Sequence, residues 1–324
     1  MSAETTYLVA DIGGTNARFA IARGNSREGF VLEQIQRLKN QDFEHLHDAA
    51  KTYLEGCSGA HPERGCFAVA GPVNPGLIQL TNSSWSFEPR ELGRHLGLKH
   101  LLPVNDFAAQ ARGAPLASPQ ETSLIREGEA APNAPCAVLG PGTGLGLGLL
   151  VSHANDLNVL PTEGGHAGFS PRTEEESAVA TFLRAEYGFA SWERVLSGQG
   201  LLNIYRALCL ADGTPWPEYS PEKITEEALT HPGSRSARTV QLFCSALGAF
   251  AGDVAVMSGA RGGIYLGGGI LPKIQALLRE SDFEARFIHH DPMTDYVASI
   301  PVWLILSDTA PLLGAAALAE KGDL

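Results

Sequence analysis

Positive charge is scarce in this 324-residue sequence: 24 Lys and Arg stand against 36 Asp and Glu, a formal net charge of −12. Such a surface repels nucleic acid and anionic membranes, which argues against the polyanion-binding classes. A nucleotide remains possible, because backbone N–H groups and a metal can hold its phosphates. Cysteine is sparse as well. Cys57, Cys66, Cys136, Cys209 and Cys244 are odd in number and widely spaced, and no CxxC pair suggests a metal or redox site. They read as buried thiols in a reducing compartment. The opening MSAETTYLVADIGG has no basic n-region and no removable apolar stretch. No apolar run approaches the roughly 18 residues of a membrane span. The expectation is a cytoplasmic protein with neither membrane nor nucleic acid among its partners.

Several catalytic signatures are missing too. There is no GxxxxGK[ST], no GK dipeptide and no GxGxxG, which argues against a P-loop or a dinucleotide-binding fold of the usual kind. Without a GxSxG elbow or an HExxH helix, serine-hydrolase and zinc-protease readings have no starting point. Glycine, by contrast, is plentiful at 36 residues, much of it in clusters beside apolar runs. That pattern suits tight strand-to-turn backbones close to a ligand.

The N-terminal third alternates strands and helices. Tyr7–Ile12 and Ala17–Ala22 read as strands joined by Gly13-Gly14-Thr15-Asn16, and Phe30–Leu38 as a third strand. Helical text near Asp42–Glu55 precedes a strand at Cys66–Gly71 and a turn at Asn74-Pro75-Gly76. A helix near Pro89–Leu96, a strand at Leu101–Val104 and a helix at Asp106–Arg112 follow. Residues 113–135, rich in Ala, Pro, Glu and Ser, are the candidate domain boundary. Beyond it, Cys136–Leu139 and Leu145–Val151 repeat the strand, glycine turn and strand. Helical text dominates from Thr173 to about Ala260, then come a strand at Ile264–Leu266, a strand at Val302–Leu306 and a helix at Ala310–Ala319. The stretch from Gly14 to Ile21 can be laid on that from Gly142 to Leu149, as if each of two domains opened with a phosphate-facing hairpin.

Six stretches carry candidate chemistry. Asp11 at a strand end can hold Mg²⁺, while Gly13 and Gly14 let backbone approach phosphate and Thr15 adds a hydroxyl; a plain hairpin is the alternative. Gly142-Thr143-Gly144 would be a second phosphate clamp, and Gly267-Gly268, after a strand, could let adenosine lie against the backbone. Asn105 and Asp106 stand where a strand meets a helix: Asp106 could accept a proton from an attacking hydroxyl with Asn105 orienting the acceptor, or the pair could simply cap the helix. Glu163 and His166 flank a Gly-Gly turn and can converge on a small polar ligand, with a surface turn as the alternative. Ser191 reads as a helix N-cap, placing Glu193 in a first helical turn. His289-His290-Asp291 reads as a solvated turn.

Taken together, ADIGGTNARFAIA, LTNSSW, VNDF, GPGTGLG, LPTEGGH, ERVLSGQGL and YLGGGI resemble, in identity and order, the bacterial glucokinases of the proteobacterial type. The resemblance runs from about residue 7 to about residue 316. It implies an α/β chain with an actin-like (ribonuclease H-like) ATPase fold, two domains around a cleft. The small domain would be residues 1–112, completed by 301–324, and the large one 113–300. It implies transfer of the γ-phosphate of MgATP to the 6-hydroxyl of glucose, the first step of glucose use in glycolysis. Asp106 would be the base; Asn105, Glu163, His166 and Glu193 would bind the sugar, with Asn82 near them. Ala10, Asp11, Ile12, Gly13, Gly14 and Thr15 would form the first ATP loop, with Asp11 on the metal. Gly142, Thr143 and Gly144 would form the second loop, and Gly267 and Gly268 the adenosine strand end. A homodimer is also implied.

Two positions depart from the family pattern: Thr162 replaces a frequent glycine, and Gly168 a frequent aspartate. Both bear on loop shape and sugar selectivity. The rivals are a kinase for another hexose on this fold, a sugar-sensing regulator and a filament-forming relative of actin. The first lacks its usual zinc cysteines here when it belongs to the repressor/kinase group, and the second lacks room for a helix-turn-helix before the strand at Tyr7. The sugar ligands fall on both sides of the expected boundary, so glucose is expected to bridge two domains and favour closure.

Overall fold

A glycine turn at residues 13–15 folds β1 (Thr6–Ile12) back on β2 (Asn16–Asn25), and this hairpin opens the first of two compact units. The computed structural model describes residues 5–59, 61–71, 73, 76–80, 83–153 and 156–322. The first unit comprises Met1–Glu121, Leu157–Val159 and Ser307–Leu324; the second comprises Thr122–Asp156 and Leu160–Leu306. Asn82 and the Asn74-Pro75 part of the expected turn lie outside the described residues.

In the first unit, β3 (Gly29–Lys39), α1 (Leu46–Gly56) and β4 (Arg64–Val69) follow the hairpin. Next come a short ladder of β5 (Ile78–Gln79) with β6 (Ser86–Phe87), then α2 (Pro89–His95), β7 (His100–Asn105) and α3 (Asp106–Gly113). The sheet runs β3-β2-β1-β4-β7, antiparallel as far as β1 and parallel from β1 through β4 to β7. Burial on both faces explains the near-continuous apolar text of β1. Leu8, Ala10 and Ile12 join Ala49, Ala50 and Tyr53 of α1 in one core. Tyr7 and Val9 face the other way, into a core with Ala109 of α3 and Leu312, Ala315 and Ala319 of the C-terminal helix, Ala310–Lys321. The two helices touch backbone to backbone: a Cβ on Gly113 would lie 1.8 Å from the Ala310 carbonyl oxygen, and one on Gly314 equally close to that of Ala109.

The second unit repeats the plan. Its sheet has β8 (Thr122–Arg126), β9 (Cys136–Pro141), β10 (Leu145–His153), β11 (Asp156–Thr162, of which Leu157–Val159 group with the first unit), β12 (Gly263–Leu266) and β13 (Val302–Ile305), in the order β11-β10-β9-β12-β13-β8. Without β8, that is the third-second-first-fourth-fifth order of the first unit, again with a hairpin leading into parallel strands. The hairpin at residues 142–144 is thus the topological counterpart of the one at 13–15. β8 falls inside the stretch read as a boundary; its antiparallel pairing with β13 closes that edge.

Helices α4 (Glu174–Tyr187), α5 (Gly198–Ala211), α6 (Pro221–Thr230) and α7 (Arg235–Ser258) each begin on a Ser or Thr whose side chain accepts a first-turn N–H. Three short helices follow, α8 (Gln275–Glu280), α9 (Phe283–Ile288) and α10 (Thr294–Ala298). At 24 residues α7 is long and apolar enough to cross a membrane by length and composition alone. Here it is the core helix of the unit: Val240, Phe243, Leu247, Phe250 and Val254 are buried against Ile264, Leu266 and Leu304 of the sheet, among others.

Candidate active site

The first group of candidate residues gathers at the carboxyl ends of parallel strands, where α/β sheets hold their ligands. Ile12 pairs with Val69, which pairs with Asn105, so the ends of β1, β4 and β7 are level. Ala10 and Ile12 are fully buried, backbone as well as side chain, so neither is open to a ligand and both serve the strand core. The hairpin is tied down from within. Gly13 N–H donates to the Asn16 carbonyl at 2.9 Å, and buried Asn40 donates through Nδ2 to Gly13 O and through its backbone N–H to Thr15 O, each at 2.9 Å.

Asp11 is not solitary. Arg18, directly opposite it on β2, donates Nη2 to Asp11 Oδ2 at 2.6 Å and pairs through Nη1 with Asp308, which also meets Arg37 at 2.8 Å. Arg18 has a side chain only 11% exposed. An arginine between Ala17 and Phe19 in an apolar strand is itself a signal: period-2 alternation puts it on the α3 face with Ala20 and Ala22.

Asn105 is the N-cap of α3, its Oδ1 accepting from Phe107 N–H at 3.0 Å and Ala108 N–H at 3.2 Å. Its Nδ2 donates to Gly71 O at 3.2 Å, so the capping role leaves one amide hydrogen for a ligand. Asp106 accepts from Phe107 N–H at 2.8 Å, and among the described residues no cation forms an ion pair with it. Its carboxyl is held above the usual carboxylate range. Burial is the main cause; the Phe107 hydrogen bond opposes it and the charge of Asp11 adds to it. A desolvated carboxylate of raised basicity is what a general base requires.

The second group lies within the other unit, around the hairpin from β9 to β10. Gly142 N–H donates to Gly144 O at 2.8 Å, and Gly142 O accepts the Gly198 N–H at the start of α5, also at 2.8 Å. Gly267 N–H donates to Leu139 O at 2.7 Å, and Gly268, at φ +85°, sits where a Cβ would be 2.3 Å from Pro141 O. The Gly267-Gly268 strand end and the second loop are therefore neighbours.

Glu193 links this loop to the EGGH turn. Its Oε2 accepts the Leu145 N–H at 3.0 Å, and its own N–H donates to Gly165 O at 2.8 Å. The expected helix around it is absent: α5 starts only at Gly198, capped by Ser197, while Ser191 bridges Gly168 in a short antiparallel contact. Ser197 wins the cap because its Oγ accepts Gly200 N–H at 3.0 Å and donates to Glu193 O at 2.7 Å, which fixes the turn carrying Glu193. His166 stands between two carboxylates, Nδ1 3.4 Å from Glu163 and Nε2 3.6 Å from Glu193. Their side chains are open to solvent, Glu163 90% exposed, His166 60% and Glu193 30%. Thr162 donates Oγ1 to Leu147 O at 3.0 Å and accepts Gly164 N–H at 3.1 Å, so the departure from glycine braces the turn. The His290 of the expected solvated turn is instead packed, 11% exposed and 3.0 Å from Asp253 on α7.

A family model described as "Glucokinase" matches residues 8–322. The chain belongs to the glucokinase family. A curated glucokinase of Hahella chejuensis is 40% identical over 324 residues, all of both chains. The crystal structure of a glucokinase from an Antarctic psychrotroph superimposes with a TM-score of 0.92 at 38% identity, covering 98% of this chain and 99% of that one. The fold extends further: a ROK-family glucokinase of Streptomyces griseus, solved with glucose and AMPPNP, aligns at a TM-score of 0.63 with 20% identity, over 98% of this chain and all of that one. The fold is the actin-like, ribonuclease H-like ATPase fold, with its duplicated strand order.

Proposed function

We propose that this chain transfers the γ-phosphoryl group of ATP to the 6-hydroxyl of glucose, releasing ADP and glucose 6-phosphate. Membership of the glucokinase family supports the reaction, and the environment of Asp106 is the observation that carries the chemistry. As the 6-oxygen attacks the γ-phosphorus and the bond to the β-phosphate oxygen breaks, the hydroxyl proton passes to the Asp106 carboxylate. Phosphoryl transfer needs little else from a base, since most of the acceleration comes from positioning and charge stabilisation. Glu163, His166 and Glu193 read the ring hydroxyls, two acceptors and an imidazole that takes either role. Asn105 orients the acceptor with its remaining amide hydrogen. The turns at residues 13–15 and 142–144 present backbone to phosphate, and Gly267 and Gly268 flank the adenosine.

The Asp11 end of the first loop suits a divalent cation, offering a carboxylate and the Thr15 hydroxyl, hard oxygen donors beside a glycine turn. Mg²⁺ there would neutralise charge on the transferring phosphate. Arg18 holds one oxygen of Asp11 in place, which orients the carboxylate toward that task. The homodimer and the cytoplasmic location are part of the same reading; sedimentation velocity tests the former. The activity is tested by coupled ADP release with MgATP across a hexose panel. Glucose should support the highest kcat/KM; equal rates with mannose and fructose would replace glucose with hexoses at large.

A further inference from the structure

The starts of β4 and β7 frame a cavity of about 520 Å³ within the first unit. Arg64 and His100 begin those strands, whereas Asn105 ends β7. Five residues of strand, about 17 Å, separate His100 from Asn105, so the cavity lies at the opposite end of the strands from Asp106. It shares no lining residue with the site described above.

Its charge runs against that of the chain. Arg64, Arg90, Arg94, Lys99 and His100 line it, and no aspartate or glutamate does among the described residues, in a protein whose net charge is −12. Two of the cations are already engaged. Lys99 pairs with Glu63 at 2.6 Å, and Arg64 donates Nη1 to Glu320 O at the end of the C-terminal helix at 3.1 Å. Arg90 and Arg94 are different. They stand four apart on α2, hence on one face, and among the described residues neither side chain makes a hydrogen bond or ion pair. Like charges at this spacing repel, and a dianion between them relieves the repulsion. Leu98, Leu101, Leu102 and Leu318 supply an apolar wall beside them.

We propose that this cavity binds a small phosphomonoester, with Arg90 and Arg94 gripping the phosphate and the leucine wall taking the uncharged body. Arginine forks match phosphate oxygens two at a time, which a single carboxylate satisfies less fully. The volume suits a molecule of sugar-phosphate size. A nucleic acid is repelled by the remaining surface.

The test is calorimetric titration of the intact chain with fructose 6-phosphate and with inorganic phosphate, glucose and a non-hydrolysable ATP analogue being present throughout to fill the catalytic centre. Fructose 6-phosphate should bind saturably, more tightly than inorganic phosphate, and more weakly as salt rises. Arg90→Ala with Arg94→Ala should weaken it at least about tenfold while leaving kcat for glucose unchanged. Both side chains are exposed, so the variant should fold; Arg90→Glu alone provides a second reading if it does not. Absence of saturable binding up to ~10 mM, or equal affinity in the variants, overturns the proposal. So does a loss of thermal stability in the double variant with no response of either protein to phosphomonoester, since Arg94 would then only offset the carbonyl end of its helix.

Discussion

Gly144→Ala isolates the coupling between the turn at residues 142–144 and the carboxylates proposed to read the sugar. A Cβ built there lies 2.6 Å from Glu193 Oε2, well inside contact distance, and has no other heavy atom within 4 Å besides the Glu193 carboxyl carbon. The φ of Gly144 is not in the left-handed region, so alanine introduces no backbone strain. Glu193 is a flexible side chain and yields instead, by roughly 0.6 Å or a rotamer change. That displacement breaks the hydrogen bond from Leu145 N–H at 3.0 Å and moves the carboxylate away from His166. One charged hydrogen bond to the sugar is worth about 1.5–3 kcal/mol, so kcat/KM for glucose should fall about ten- to a hundredfold. Folding should be nearly untouched, with Tm within about 3 °C of the parent. Steady-state kinetics with glucose varied at saturating MgATP, beside a thermal melt, read both quantities. Shortening the clashing group with Glu193→Asp in the same chain should recover part of the loss. A KM for glucose within about twofold of the parent, in a protein of unchanged stability, would refute the link.

Four further outcomes are expected. Asp106→Asn should lower kcat at least about 10²-fold with little change in glucose affinity by titration; retention of most of the kcat would remove Asp106 from the chemistry. Because burial raises the Asp106 carboxyl, it protonates at a higher pH than an ordinary carboxylate, and the acid limb of kcat/KM should lie above the usual carboxylate range and vanish in Asp106→Asn. Burial also raises Glu121, but hydrogen bonds from Thr309, Ser118 and Ser307 outweigh it and hold the carboxyl at about 2. The stabilisation this gives is present above the ordinary glutamate value and lost as pH falls toward 2, so Glu121→Gln should flatten the acid arm of the stability curve measured by denaturant midpoints. Gly113→Ala should cost about 3 kcal/mol or more, because its Cβ meets backbone that cannot yield; a melt unchanged from the parent would contradict the helix contact.

Much of the architecture was legible because each signal was local. The two glycine hairpins and the strand before Asn105 announce themselves through short apolar runs beside glycine or Asn-Asp punctuation. β8 was hidden in a proline- and alanine-rich stretch, since an edge strand needs only one partner and little apolar text. Ser191 misled for a related reason: it carries the side chain of an N-cap, yet the competing Ser197 satisfies both Gly200 N–H and Glu193 O. The competing roles at Asn105 proved compatible, because capping consumes its carbonyl oxygen and leaves an amide hydrogen. Arg18, Asp308 and Asn40 were not legible, since their partners lie 7 to 290 residues away in sequence and become neighbours only through strand pairing and the returning C-terminal helix.

The central claim is phosphoryl transfer from ATP to one hydroxyl of glucose, and the most direct measurement is the product itself. Phosphorus NMR of the purified chain with MgATP and glucose should show glucose 6-phosphate accumulating in step with ADP, and no sugar phosphate when 6-deoxyglucose replaces glucose. ADP forming at the same rate with water as the only acceptor, or a phosphorylated 6-deoxyglucose, would contradict it.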